Sequence, residues 1–194
     1  ISDAVVTEDC SKLVAVSLGA EGGAFASTLV VYDLATGEKL GEHAVWDGLV
    51  MDFCCNGNKV VSLCDTRLVI TDLSGQTLLD HSYGGQYLYD YALTGEDFCA
   101  LLLGRYQAGN VSQLTTFDLE GNQLATLALS EEVLDLSAAG GTLAVLYDNS
   151  LVLYDRELRE LSRLDNTGYA GRVIAAPHGE VLVISGTAAW RYLP

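Results

Sequence analysis

The sequence of 194 residues predicts an all-β fold, a β-propeller built from four-stranded antiparallel blades. Two independent markers repeat with the same period. Aspartates that end an apolar run are spaced by 39, 46 and 37 residues, at Asp33, Asp72, Asp118 and Asp155. Turn glycines are spaced by 38, 46 and 38 residues, at Gly57, Gly95, Gly141 and Gly179. A period of about 40 residues is the size of one propeller blade, whereas a β-sandwich would not require such a strict period.

Each complete repeat contains four short apolar runs that are separated by turn residues. In the second repeat the runs are LVMDFCC, KVVSLC, RLVITDL and QTLLDHSY, joined by NGN, DT and SG. Asn-Gly and Asp-Thr between apolar runs indicate hairpins. In each D-L-x-G element the Asp is expected to bind its own turn and the Gly to be left-handed. We predict four equivalent third strands, at Leu29–Asp33, Leu68–Asp72, Leu114–Asp118 and Leu151–Asp155.

Counting strands divides the chain, as one predicted domain over residues 1–194, into five repeats. They cover residues 1–44, 48–83, 87–129, 133–166 and 170–194, and the last repeat stops after its third strand, TAAWRYL. Either the ring has five blades with one incomplete, or the chain is part of a larger propeller. An open ring would expose an unpaired strand edge, which predicts self-association through that edge.

Composition excludes several partners and cofactors. With 26 acidic and 10 basic residues the formal net charge is −16, so phosphate backbones repel the chain and no nucleic-acid binding is expected. The apolar runs are far shorter than the ~20 residues that a membrane span needs. Five cysteines without a CxxC spacing argue against a zinc site or a disulfide framework, although Cys54 or Cys55 could lie close to Cys64. The three histidines are dispersed and no calcium-loop pattern occurs, so we predict no metal site, no cofactor and no catalytic residue.

Long connections and aromatic residues between repeats predict a ligand-binding face. The connections at residues 19–27 and 104–112 exceed what a hairpin needs, and such loops are often functional. Ten tyrosines offer flat apolar area with a hydroxyl, which suits protein or carbohydrate contacts. Packing between adjacent blades is the alternative role for these aromatic residues. The predicted ligand-binding residues, expected on the same face as the long loops, are Trp46, Asp47, Tyr83, Tyr87, Tyr106, Tyr169 and Arg172.

Three aspartates recur in the innermost strands and are predicted to point toward a common central region. Asp52, Asp90 and Asp135 are spaced by 38 and 45 residues, and the corresponding positions elsewhere are placed near Val5 and near Ile174 or Ala175. Such axial carboxylates could hold a cation or water, or accept N–H bonds from the next blade. A glycoside-acting enzyme would use the same carboxylates. Glutamates are scarce near these strands, the nearest being Glu131 and Glu132.

The repeat resembles two known propeller families. The stretch VVSLCDTRLVITDL resembles the second and third strands of a WD-repeat blade, with TD, YD, FD and YD at the Trp-Asp position. The stretch LVVYDLATGEKL is similar to the pyrroloquinoline-quinone-type repeat. No Gly-His pair opens the repeats, so the WD hydrogen-bonded tetrad is not expected. The chain also resembles surface-anchored propeller proteins of gut Firmicutes, which implies a cell-surface location.

These resemblances imply a non-enzymatic module that binds protein or carbohydrate. The alternatives are a glycoside-acting propeller enzyme and a purely structural part of a larger surface protein.

Overall fold

The computed structural model describes residues 3–21, 24–45, 48–105 and 112–194, and every regular element in these ranges is a β-strand. The same ranges hold no helix whose length and apolarity would let it cross a membrane. The chain divides into two compact units, Ile1–Gly84 and Gly85–Pro194. That all five repeats form a single domain stays a prediction.

The first unit contains two four-stranded antiparallel sheets, each with its strands in sequence order. The first sheet consists of β1 (Asp3–Val6), β2 (Lys12–Glu21), β3 (Ala24–Asp33) and β4 (Lys39–Val45). The second sheet consists of β5 (Val50–Asn56), β6 (Lys59–Cys64), β7 (Arg67–Asp72) and β8 (Thr77–Ser82).

The second unit contains two four-stranded sheets and one three-stranded sheet, all antiparallel. The third sheet consists of β9 (Tyr87–Ala92), β10 (Phe98–Gly104), β11 (Ser112–Asp118) and β12 (Gln123–Leu129). The fourth sheet consists of β13 (Val133–Ala139), β14 (Thr142–Tyr147), β15 (Ser150–Tyr154) and β16 (Glu160–Asp165). The fifth sheet consists of β17 (Arg172–Ala175), β18 (Val181–Ile184) and β19 (Ala189–Tyr192).

The four predicted third strands are confirmed as β3, β7, β11 and β15. Each begins at or before the predicted residue, and β15 ends at Tyr154, one residue before Asp155. The predicted blade pattern is therefore correct, including the incomplete last blade.

The hydrophobic cores lie between successive sheets within each unit. The second and third strands of the second, third and fourth sheets are buried along almost their whole length, whereas inner and outer strands alternate between buried and exposed residues. A strand that is covered on both faces favours apolar residues on both, as in β10 (FCALLLG) and β14 (TLAVLY), although β11 also buries Thr115 and Thr116. In the second unit one core joins the third and fourth sheets and another joins the fourth and fifth.

The predicted loop at residues 19–27 is wrong, because strand structure replaces most of it. Strands β2 and β3 pair up to Glu21 and Ala24, beyond the point where β1 and β4 stop accompanying them. Only Gly22 and Gly23 of this connection lie outside the described residues. The extra length therefore forms a two-stranded ribbon, since paired strands satisfy the backbone groups that a loop would leave to solvent.

The aspartate of each D-L-x-G element binds its own turn as expected. Asp118 Oδ1 accepts the backbone N–H groups of Glu120 at 3.0 Å and Asn122 at 2.7 Å, and Gly121 has φ 92°. Asp72 does the same with Ser74 and Gln76. Burial acts to raise the pKa of Asp118 and Asp155, but donors aimed at the carboxylate favour its charged form. The pKa values of all four equivalents are therefore lowered: Asp33, Asp72, Asp118 and Asp155.

In the fourth sheet a leucine occupies the left-handed turn position. Leu158 has φ 58° and is part of the core between the third and fourth sheets. A left-handed non-glycine residue costs about 1–2 kcal/mol, whereas burying a leucine side chain stabilises by about 1.5–3 kcal/mol. Burial compensates for the backbone strain at this turn.

We expect replacement of Asp118 by asparagine to lower the free energy of unfolding at pH 7. The amide oxygen still accepts hydrogen bonds but carries no charge, and solvent screening limits the loss to about 1 kcal/mol or less. A lowered folded-state pKa stabilises the fold above the unfolded-state pKa of about 3.9, and this contribution disappears as the pH falls through the folded-state pKa. Urea unfolding at pH 7 and pH 3 should therefore show the difference between D118N and wild type shrinking at pH 3; an equal difference would contradict the charge argument.

All five cysteines are free. In the register of the second sheet Cys54 lies opposite Val61 and Cys64 lies opposite Val50, so no disulfide joins these neighbouring strands. Burial raises the pKa of Cys54 to about 12, which leaves its thiol protonated at neutral pH and chemically inert.

Candidate functional site

The innermost strands of the second unit lie side by side and are joined by polar contacts. The backbone N–H of Val173 in β17 donates to Asp135 Oδ2 of β13 at 2.7 Å, and that of Ala175 donates to Ser137 Oγ at 2.9 Å. The hydroxyl of Thr94, which follows β9, donates to the Ala138 carbonyl at 2.7 Å. Strand β13 is therefore tied to the neighbouring blade on each side.

Strand register places one residue of each innermost strand at an equivalent position. These residues, here called the inner row, face structurally matched residues of the second strands and are Asp3, Asp52, Asp90, Asp135 and Arg172. The expected counterparts Val5 and Ile174 or Ala175 are wrong. Turn length between the first two strands varies, from Val6 to Lys12 in the first sheet but from Asn56 to Lys59 in the second. Counting along the sequence therefore loses the register that the sheet maintains.

In three innermost strands a β-bulge precedes the inner-row aspartate. Pairing passes from Val50 to Asp52, from Leu88 to Asp90 and from Val133 to Asp135, which leaves one residue unpaired each time. These bulge residues are Met51, Tyr89 and Leu134, and all three are exposed. A bulge redirects a side chain that regular pleating would have placed elsewhere.

The inner-row carboxylates of the second unit bind the backbone of the following blade. Burial raises the pKa of Asp90; the N–H groups of Tyr91 and Leu136 and the charge of Arg172 oppose this, and the charge of Asp135 adds to it. Asp135 accepts the N–H of Val173, one residue after the inner-row position of the fifth sheet. Leu136, whose N–H binds Asp90, likewise lies one residue after the inner-row residue Asp135. Asp90 therefore binds the backbone of the fourth sheet in the same way as Asp135 binds that of the fifth.

Asp52 belongs to the first unit, where it accepts the N–H of Phe53 at 2.8 Å. That all three carboxylates share one central region stays a prediction. Within the described ranges no group of three or more His, Cys, Asp or Glu side chains is arranged to hold a metal ion.

The predicted tyrosines have different environments. Tyr83 is only 2% exposed, and its hydroxyl lies 3.0 Å from the Cys64 carbonyl oxygen and 2.9 Å from that of Arg67. Tyr87 and Tyr169 are 62% and 84% exposed. Tyr83 therefore packs against the β6–β7 hairpin and cannot contact a ligand in this conformation, whereas the other two side chains are accessible.

The remaining predicted binding residues divide into described and undescribed ones. Arg172 is exposed at the start of β17 rather than in a loop. Trp46, Asp47 and Tyr106 lie outside the described residues. Tyr87 pairs with Gly104, so it lies at the end of β9 where the connection from residue 104 to 112 begins. That Tyr87 and this connection share a ligand-binding face stays a prediction.

A cavity of about 460 Å³ opens between the third and fourth sheets at this end of the strands. Its described lining includes Tyr89, Leu102, Ser112, Glu131, Glu132 and Val133. Leu102 and Ser112 are buried, while Tyr89 and both glutamates are exposed. In the sequence these glutamates are only neighbours of an inner strand, because the cavity forms only when two blades pack together.

Solved structures similar to this chain include two WD40 domains. The C-terminal WD40 domain of Sif2 matches with a TM-score of 0.62 and 15% identity over 95% of this chain and 55% of that one. Hsv2p of Kluyveromyces lactis matches with a TM-score of 0.62 and 12% identity over 98% of this chain and 73% of that one. The Pan2 WD40 domain of Neurospora crassa matches with a TM-score of 0.53 and 10% identity over 98% and 60%.

The chain is therefore a WD40-like β-propeller in fold, and it spans 55% of the length of the Sif2 domain. No family model and no curated protein matches its sequence. At these identities the likeness shows the fold alone.

Proposed function

We propose that this chain is a non-enzymatic module that binds another protein through the inner-strand surface of its second unit. The observation that carries the proposal is the repeated β-bulge, which exposes Tyr89 and Leu134 beside the exposed Tyr87. Exposed large apolar side chains cost solvation free energy that a partner's surface would recover. Aromatic side chains are also enriched where proteins bind each other.

Binding is favoured over a glycoside-acting enzyme because of the contacts that the inner-row carboxylates make. Asp90 and Asp135 accept backbone N–H groups of the following blade, which uses acceptor capacity that catalysis would require. A cell-surface location and self-association through the edge of β19 are parts of the same proposal. The latter follows from the three-stranded fifth sheet, where β19 pairs only with β18 among the described strands.

Site-specific photo-crosslinking tests this proposal. A photoreactive phenylalanine analogue at Leu134 should crosslink to a partner protein in an extract of the source organism. The same analogue at Leu161, which is exposed on the outer strand β16 of the same sheet, should not. Unlabelled wild-type protein should compete away the product, and a Leu134→Ser competitor should do so at least tenfold less well.

Other products would change the conclusion. A crosslink between two copies of this chain would assign the surface to self-association. Retention on immobilised glycans without any protein crosslink would replace the protein partner with a carbohydrate. Equal crosslinking from positions 134 and 161 would overturn the proposed surface.

A further inference from the structure

We propose that the cavity between the third and fourth sheets receives an arginine side chain of the partner. This inference rests on the proposed function and names the chemistry that the surface recognises. The cavity volume of about 460 Å³ exceeds what a single side chain needs, which leaves room for the flanking partner backbone at the mouth.

Charge at the cavity mouth selects a cation. Glu131 and Glu132 line the opening, and neither forms an ion pair among the described residues. By contrast, the second unit pairs Arg156, Arg159 and Arg163 with its own carboxylates. Both carboxylates lack an ion-pair partner among the described residues, and a guanidinium placed between them would add the missing positive charge and donate hydrogen bonds to them.

An aromatic ring and a serine give the cavity features beyond its charge. Tyr89 lines the wall, and its ring packs so closely on Gly104 that a Cβ there would overlap Cε2 and stand 3.0 Å from Cδ2. Arginine stacks on such rings more often than lysine does. Ser112 is 7% exposed and lines the same cavity. A serine hydroxyl can accept a hydrogen bond from a guanidinium N–H.

Short peptides of known sequence test the inference. The probe is an acetylated and amidated pentapeptide, Gly-Ala-Arg-Ala-Gly, compared with peptides that carry lysine or citrulline in place of arginine. Citrulline keeps the shape of arginine and removes the charge. Binding followed by NMR titration should be at least tenfold tighter for the arginine peptide than for the citrulline peptide, with the lysine peptide between them.

Matched variants separate the cavity from the general acidity of the chain. The double variant Glu131→Gln with Glu132→Gln should weaken arginine-peptide binding at least tenfold. The control double variant Glu8→Gln with Glu38→Gln removes two charges from the first unit and should leave binding within about twofold. Tyr89→Leu should reduce the preference for arginine over lysine.

Three results would overturn the inference. These are equal binding of the arginine and citrulline peptides, unchanged binding by the E131Q/E132Q variant, and equal weakening by the E8Q/E38Q control. The last result would show nonspecific attraction to a chain of net charge −16. If crosslinking from Leu134 persists in any of these cases, the hypothesis that the cavity binds arginine is rejected and the proposed protein-binding surface is retained.

Discussion

Replacing Gly140 with alanine should lower the free energy of unfolding by about 2–5 kcal/mol. Gly140 has φ 55°, where a Cβ costs about 1–2 kcal/mol. A Cβ there would also overlap the carbonyl oxygen of Pro177 and stand 3.1 Å from its carbonyl carbon. Overpacking against backbone adds roughly 1–3 kcal/mol because backbone cannot rotate away as a side chain can.

The adjacent glycine provides the control for this prediction. Gly141 has no heavy atom within 4 Å of its Cβ position and no positive φ, so Gly141→Ala should change stability by less than about 1 kcal/mol in either direction. Denaturant unfolding of both variants gives the comparison. Similar losses for the two alanine variants would contradict the contact with Pro177.

Gly140 matters because three blades meet at it within the second unit. Its carbonyl accepts the N–H of Glu96 at 2.8 Å, and it forms a parallel bridge with Gly95 of the connection that precedes β10. Pro177 belongs to the β17–β18 connection. We therefore expect Gly140→Ala to loosen the packing of the third and fifth sheets against the fourth.

Replacing Tyr83 with alanine should destabilise the protein by about 3–5 kcal/mol. Its ring is buried, its hydroxyl contacts the carbonyl oxygens of Cys64 and Arg67, and its backbone N–H donates to Thr66 at 3.0 Å. Removing a buried aromatic side chain leaves a cavity of this cost. Tyr83→Phe keeps the ring and should lose only about 1–2 kcal/mol, since the hydroxyl alone is removed.

Tyr169→Ala is the matched comparison for Tyr83. Tyr169 is almost fully exposed, and alanine would occupy the same left-handed backbone at φ 59°, so the change in stability should stay within about 0.5 kcal/mol. Thermal or urea unfolding measures both variants. If Tyr83→Phe left stability unchanged but weakened crosslinking to the partner, Tyr83 would be a contact residue and its packing role would be wrong.

The blade pattern could be predicted because it depends on local sequence. Each D-L-x-G element carries the carboxylate that binds its turn, and the apolar runs before it report strands that are buried on both faces. These features lie within a single blade, so they can be predicted without information about any other blade. The sequence of the connection at 19–27 predicts a loop because of its glycines, but glycines also occur within paired ribbons, as Gly19 does opposite Ala26.

The candidate site could be predicted only in part. The spacing of Asp52, Asp90 and Asp135 identified three members of the inner row, and the other two, Asp3 and Arg172, became apparent only from strand register. The bulges that expose Tyr89 and Leu134 depend on how neighbouring strands align. The sequence cannot reveal the bulges, because the residue at a bulge is of the same type as other residues of the strand.

The amino-acid sequence alone predicts an all-β chain of repeated four-stranded blades with tight aspartate turns. Local hydrogen bonding and apolar periodicity are encoded within a few residues of one another, so they can be seen without the fold. Only the tertiary structure decided that Tyr83 is buried, that Gly140 rather than the marker Gly141 is constrained, and that Glu131 and Glu132 border a cavity. Each of these depends on residues far apart in the chain, and their positions are set by the packing of one blade on the next.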